Sequence, residues 1–402
     1  MDPLGDLRPA VASALEALAS ADAVARLWKR DHTLWRPDAA EISDRLGWLD
    51  APAAARPRLS GYRALAERVA ADGLTHAVLL GMGGSSLAPE VLRHVLGVAP
   101  GMVDLSVLDS THPAAVTAVE DAVPLDRTLF VVASKSGTTI ETRSHLERFW
   151  SLVRNGRQFL AITDPGSPLE ARAGELGFRE VIHAAPDVGG RYSALTAFGL
   201  VPAALIGADL DALVEEAADE ADACGPGTDP RDNPGAVLGA AMGAAARAGR
   251  DKLTLRFPGR AAPFGAWVEQ LVAESTGKDG VGILPVDGEP PDGSGDDRLF
   301  VGVGQVPAPG LSVGDDLHLG PAFFRFEVAT ALAGAILGIH PFDQPDVQAA
   351  KDSTAAVLAS GHVPDEPEGD LDRLLARVRP GDYVAMQAFV PPLPERLAEL
   401  QA

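Results

Sequence analysis

The chain has 402 residues, 46% hydrophobic and 22% charged, which describes a globular protein with enough apolar material for a sizeable core and a length that suits two domains. Its 34 basic residues face 56 acidic ones, and the resulting net charge of −22 argues against nucleic acid and anionic membranes as partners, though a few local donors would still hold a small phosphorylated ligand. The single cysteine, Cys224, excludes a disulfide framework and a cysteine-based metal site and points to the cytoplasm, and MDPLGDLRPAVASALEAL at the N-terminus lacks the pattern of a signal peptide.

Residues 1–60 read as a helical N-terminal extension with turn breaks at WRPD (35–38) and LDAPAAARP (49–57). From residue 61 the pattern alternates. YRALAERVAADG is an amphipathic helix closed by Gly73, THAVLLG a buried strand and LAPEVLRHVLG the next helix. MVDLSVLDS, RTLFVVASKSG, QFLAITD and REVIHA supply further strands, separated by the helices PAAVTAVEDAV, TTIETRSHLERFWSLVRNG and SPLEARAGELG. Strands spaced by helices of roughly 10–20 residues mean βαβ units and a parallel sheet.

ACGPGTDPRDNPG (223–235) is rich in Gly, Pro and Asp and reads as a linker. Beyond it the alternation resumes with helix AVLGAAMGAAARAG, strand DKLTLRF, helix PFGAWVEQLVAES, strand GILPVDG and its loop, strand RLFVGVG and the long helix PAFFRFEVATALAGAILG. The apolar run ATALAGAILGI (329–339) is too short to span a bilayer. The expected architecture is α/β: two doubly wound parallel-sheet domains, 61–222 and 236–402, the second including the C-terminal segment. Ligands of such sheets sit at the carboxyl ends of the strands.

Two small-residue turns lie at such ends. LGMGGSSLAPE (80–90) follows a strand and opens a helix, so its glycines let the backbone approach an anion while the helix N-terminus faces it. A dinucleotide fingerprint would need glycine at 86, where Ser86 stands. SKSGTT (134–139) offers Ser134, Ser136, Thr138 and Thr139 with Lys135 and a glycine, more hydroxyls than a helix cap requires, and suits a phosphate monoester.

Three further stretches carry chemistry. DVGGRYS places Arg191 after two glycines, either as a loop arginine or as a cation for a developing oxyanion. AESTGK puts Glu274 at the end of an apolar helix, where its charge opposes the dipole; a solvated helix end and a general base both remain open. FDQPDVQAAK sets Gln344 and Lys351 seven residues apart, on one face of a helix, whether as a functional pair or as plain surface polarity. The nine histidines show no i, i+4 pair and no metal-binding spacing, so no metal is expected.

Taken together, LGMGGSSLAPEVL, VLDSTHPAAV, VASKSGTTIET, ITDPGSPL, PDVGGRYSALTAFGLVPAAL, WVEQLVAESTGK and HPFDQPDVQAAK resemble the phosphoglucose isomerase family in content and order, over roughly 75–352. The likeness is strongest to the isomerase half of bacterial transaldolase/glucose-6-phosphate isomerase fusions. It implies two SIS-type domains and aldose–ketose isomerisation of glucose 6-phosphate and fructose 6-phosphate through a cis-enediol, without a cofactor. By position, it assigns Gly84, Ser85, Ser134, Ser136 and Thr139 to the phosphate, with Lys135 beside them. Glu274 becomes the base and Arg191 the stabiliser of the enediolate. Gln344 and Lys351 form the pair near the sugar, with Lys351 assisting ring opening, and Glu141 is the acid that supports a ring-opening histidine. A sugar phosphate and a second copy of the chain are the partners implied. The family's Gly-Gln-His segment has no counterpart, and His318 in DDLHLG stands in a different context. That departure leaves open a histidine-bearing tail outside this sequence, ring opening by Lys351 or water, or a sugar-phosphate-binding protein with impaired turnover; dual action on mannose 6-phosphate also stays open.

Overall fold

A computed structural model describes residues 3–289, 295–362, 369–379 and 382–385. It divides into two compact units, Met1–Phe342 and Asp343–Ala402. The first opens with helices α1 (Arg8–Ser20), α2 (Ala23–Trp28), α3 (Ala51–Ala55) and α4 (Leu59–Ala71). Then β1 (His76–Gly81), α5 (Leu87–Leu96), β2 (Asp104–Leu108), α6 (Pro113–Ala122), β3 (Thr128–Ala133), α7 (Ile140–Val153), β4 (Phe159–Thr163), α8 (Pro168–Glu175) and β5 (Glu180–His183) build the first sheet and its helices. All its pairs are parallel, in the order β2-β1-β3-β4-β5.

Apart from His76, Thr128 and Thr163 at their ends, strands β1, β3 and β4 are apolar because both faces of the sheet are covered. Alternate residues serve opposite faces. Val78, Leu80, Phe130 and Val132 join Phe149 and Phe159 in one core, with Phe130 stacked on Phe149 at 4.8 Å. Ala77, Leu79, Leu129 and Val131 face the larger core on the other side.

Helices α9 (Ala197–Leu205), α10 (Leu210–Ala223) and α11 (Pro234–Arg247) lead to the second sheet, formed by β6 (Lys252–Arg256), β7 (Leu284–Val286), β8 (Arg298–Gly302) and β9 (Gly310–Ser312). Helix α12 (Pro263–Thr276) connects β6 to β7, and α13 (Leu319–Leu337) follows β9. This sheet is also parallel, in the order β7-β6-β8-β9. Strand β9 went unforeseen: Gly-Leu-Ser has little β propensity and owes its extension to pairing with β8, Phe300 against Gly310. The second unit holds α14 (Pro345–Ser360) and α15 (Leu371–Leu375).

The apolar run at 329–339 forms the second half of α13, the long helix expected over 321–338. α13 has 19 residues, long and apolar enough by length and composition to cross a membrane, yet 83% of its most apolar window is buried inside the protein. Glycines 235, 239 and 243 of α11 let it lie close: a Cβ on Gly239 would fall 2.6 Å from the Ala329 carbonyl, and one on Gly243 2.8 Å from Ile336.

Within α13, Glu327 is fully buried, and neither carboxylate oxygen has a hydrogen-bond partner among the described residues. Burial pushes its pKa well above the ordinary 4.5. The unfolded chain releases this proton near 4.5 while the native state retains it, so the parent loses stability as pH rises between those values, at about 1.4 kcal/mol per pH unit. Glu327→Gln removes the titration. Urea midpoints at pH 5 and pH 7 should therefore move in the variant's favour at the higher pH; a variant-to-parent difference that stays constant would refute a protonated Glu327.

Candidate active site

The first sheet places both small-residue turns at one spot. Strand β1 lies between β2 and β3, so the connections leaving it and β3 diverge and open a crevice. Gly81 and Ala133 are register partners at the ends of β1 and β3, which sets the turns at 82–86 and 134–139 side by side. Helices α5 and α7 start directly beyond them.

Thr139 stands at the N-cap of α7, yet its side chain does not cap the helix. Its Oγ1 instead accepts from Ser134 Oγ at 3.1 Å, and Ser134 Oγ accepts from Gly137 N at 3.1 Å. Ser136 and Thr138 pair their hydroxyls at 2.8 Å. Ser86, ahead of α5, likewise makes no side-chain cap and donates to the Gly83 carbonyl. Both helices thus begin without side-chain caps, a ready arrangement for an anion. Ser85 and Ser134 are buried, while Ser136 is exposed.

Lys135 sits differently from its neighbours. Its ammonium donates to Asp164 at 2.7 Å and to the Pro186 and Ala185 carbonyls at 2.9 and 3.3 Å. It ties the end of β3 to the segments after β4 and β5.

Arg191 follows β5 and is 2% exposed. Its Nε donates to Ser275 Oγ at 2.8 Å, its Nη2 to the Pro341 carbonyl at 2.6 Å and its Nη1 to Glu274 Oε2 at 3.4 Å. Gln270, one helical turn before Glu274, donates to Oε1 at 2.9 Å. The carboxylate at the end of α12 thereby gains two donors that offset the opposing helix dipole. Gln270 also packs on the first turn, since a Cβ at Gly83 would lie 2.5 Å from its Nε2. A Cβ at Gly84 would collide with the Gly190 carbonyl and lie 2.8 Å from Arg191 N. Glu274, the Arg191 guanidinium and the turn at 83–85 therefore meet at one place, with α12 of the second sheet closing on the first.

Behind Arg191, Tyr192 is buried, and burial pushes its phenol up to about 12. Its ring stacks on Trp48 at 5.2 Å and meets Phe342 at 5.5 Å. The N-terminal segment joins here: Gly47 N donates to Asp187 O, and Leu46 bridges Val188.

Glu141 lies in the first turn of α7, half-buried. One turn on, His145 is buried with Nε2 on the Ser110 carbonyl at 3.0 Å, and burial holds its imidazole below 6.5. His318 is exposed and faces Glu216 at 3.6 Å, lining a cavity of 420 Å³ with Glu220 and Arg325 rather than any predicted site residue. Gln344 precedes α14 as its N-cap residue, and Lys351 lies on that helix, so both belong to the second unit.

Sequence reasoning missed Gln270, Ser275 and Tyr192. Gln270 carried a usable signal, i, i+4 to Glu274 on one helix face.

Two parallel α/β sheets, with uncapped helix starts at a switch point of the first and a carboxylate–guanidinium pair beside them, have the architecture of SIS-type sugar-phosphate isomerases. The model of the phosphoglucose isomerase family matches residues 66–283, and the chain belongs to that family. It is 29% identical over 398 aligned residues to glucose-6-phosphate isomerase of Rubrobacter xylanophilus, covering 78% of this chain and 89% of that one. Against glucose-6-phosphate isomerase of Prochlorococcus marinus the identity is 34% over 213 residues, 51% of this chain and 40% of its relative. Among solved structures, a hypothetical protein of Thermus thermophilus superposes with a TM-score of 0.74 at 24% identity, over 88% of this chain and 98% of that one. A glucose-6-phosphate isomerase of Chlamydia trachomatis superposes at 0.65 with 20% identity, over 85% and 79%. Both share the fold.

The close approach of two turns at Gly84 is directly testable. Gly84→Ala forces the 83–85 turn away from Gly190, at a cost of roughly 1–3 kcal/mol typical of overpacking. Urea unfolding should report that loss, together with weaker protection by inorganic phosphate; a variant as stable as the parent would contradict the packing described.

Proposed function

We infer that this chain is a glucose-6-phosphate isomerase, interconverting glucose 6-phosphate and fructose 6-phosphate through a cis-enediol. The observation that carries the reading is the 3.4 Å pairing of Glu274 with a buried Arg191, closed against the Gly83–Ser85 turn. In this reading the sugar phosphate docks by its phosphoryl group on Ser85, Ser134, Ser136 and Thr139 and on the backbone at Gly84, while Lys135 braces the turn from behind. Binding energy from that remote group orients the reacting carbons.

Glu274 takes the proton from C2 of the open-chain aldose and returns it to C1. One base suffices because the two carbons are adjacent. The C2–H electron pair forms the C1=C2 bond as the carbonyl pair moves onto O1, where Arg191 meets the developing negative charge, commonly the largest catalytic contribution. The C2 hydroxyl proton passes to O1, and C2=O forms as C1 takes its proton back from Glu274. Gln270 keeps one carboxylate oxygen engaged and leaves the other toward Arg191. Gln344 and Lys351 are assigned to the sugar's hydroxyls and to ring opening by family position, with Glu141 as the accompanying acid. The chemistry calls for no redox cofactor or metal. It serves glycolysis and gluconeogenesis, and a cytoplasmic setting suits the single buried thiol of Cys224.

Glu274→Gln keeps the shape of the base and removes its basicity. Fructose 6-phosphate turnover, coupled to glucose-6-phosphate dehydrogenase, should disappear while calorimetric binding of fructose 6-phosphate persists; turnover near the parent's would dismiss Glu274. Arg191→Ala should lower kcat roughly 100- to 1,000-fold with a much smaller change in KM. Equal effects on both constants would make Arg191 a binding residue alone.

A further inference from the structure

We propose that Ser275 is a positioning residue of this site, its buried hydroxyl fixing the Arg191 guanidinium in register with Glu274. The inference rests on the isomerase reading above and extends it to a residue that does not touch the sugar. Serine and threonine near a helix end commonly turn their hydroxyl back to the carbonyl four residues earlier. Thr276 does so, bonding the Val272 carbonyl at 2.9 Å. Ser275, its neighbour, instead accepts from Arg191 Nε at 2.8 Å, and it is 0% exposed.

The geometry of the guanidinium explains why this one contact matters. Its five N–H donors lie in a rigid plane, so fixing Nε fixes the direction of both Nη atoms. With Nε on Ser275, Nη2 reaches the Pro341 carbonyl at 2.6 Å and Nη1 faces Glu274 at 3.4 Å. Ser275 and Glu274 are joined by one peptide bond, so the anchor for the cation and the base share one rigid helix end. The Tyr192 hydroxyl lies 3.4 Å from the same Oγ, and its ring, 5.6 Å from the guanidinium carbon, is clamped between Trp48 and Phe342. Tyr192 thus backs Ser275 as well as flanking Arg191. Without the hydroxyl, a buried Nε–H loses its acceptor and the fork turns away from the position where charge develops.

The test compares kcat and KM for fructose 6-phosphate in the parent, Ser275→Ala, Ser275→Cys, Arg191→Ala and the Ser275→Ala/Arg191→Ala double variant, with thermal unfolding as the control for folding. Ser275→Ala should lower kcat about 10- to 100-fold, the loss expected of a hydrogen bond to a charged group, with KM held within about twofold. Ser275→Cys, which keeps the shape and a weaker acceptor, should fall in between. In the Arg191→Ala background, Ser275→Ala should change kcat by less than about twofold, because the serine acts through the arginine. A parent-like kcat in Ser275→Ala overturns the proposal, and so does a full additional loss in the double variant. If alanine does not fold at this position, Ser275→Cys decides: a parent-like kcat overturns the proposal and a reduced kcat with unchanged KM upholds it. A parent chain without turnover overturns the isomerase reading and this inference with it, an outcome read before any variant is compared.

Discussion

A guanidinium taken almost wholly out of water is the constraint around which this molecule is arranged. The Arg191 side chain is 1% exposed, and a buried charge is costly unless its donors are met with good geometry. The chain meets them from distant places: Ser275 and Glu274 at the end of α12, and the carbonyl of Pro341 after α13. Each contact obliges a segment to come to the β5–α9 connection. α12 must cross from the second sheet to the first, and the turn after β1 must carry glycine at 84 so that Gly190 can sit against it. The meeting of two sheets and the position of Glu274 follow from the same requirement.

The charge distribution is resolved locally. In a chain of net charge −22, the turns ahead of α5 and α7 present uncapped helix starts and the hydroxyls of SKSGTT rather than a field of lysines. Lys135, the cation nearest in sequence, is neutralised by Asp164 and saturated by two carbonyls. Its work is architectural, fixing the shape of the turn on which the hydroxyls are displayed. Arg191 is the positive group that pairs with the Glu274 carboxylate.

The β/α alternation was legible because β1, β3 and β4 are covered on both faces and leave apolar runs no surface pattern can imitate. The two small-residue turns were legible as strand-to-helix connections, whereas the neighbourhoods of Arg191 and Glu274 left them open and only the family resemblance joined them. What escaped was whatever depends on distant partners. Gly310–Ser312 is a strand only through β8. Trp48 gives no sign in LGWLD that it will stack on Tyr192, and Ser275 in ESTGK reads like any helix-end serine until Arg191 is folded onto it. The length of α13 was legible too, the expected helix over 321–338 matching Leu319–Leu337; only its aliphatic part, 329–339, was weighed against a bilayer.

The closure of the site by Pro341 has a consequence for how the protein is made. Arg191 finds its partners 84 and 150 residues further along the chain, while the ring beneath it is braced by Trp48, far upstream. Contacts of such separation form late and cost loop-closure entropy before they repay it. A growing chain on the ribosome can complete its five-stranded sheet and both anion turns while the arginine still has none of these partners. It gains the Pro341 carbonyl only when residue 341 has emerged and returned. Half-length products would carry the five-stranded sheet with the Arg191 guanidinium still lacking its acceptors, so the buried charge is met only when nearly the whole first unit is in hand.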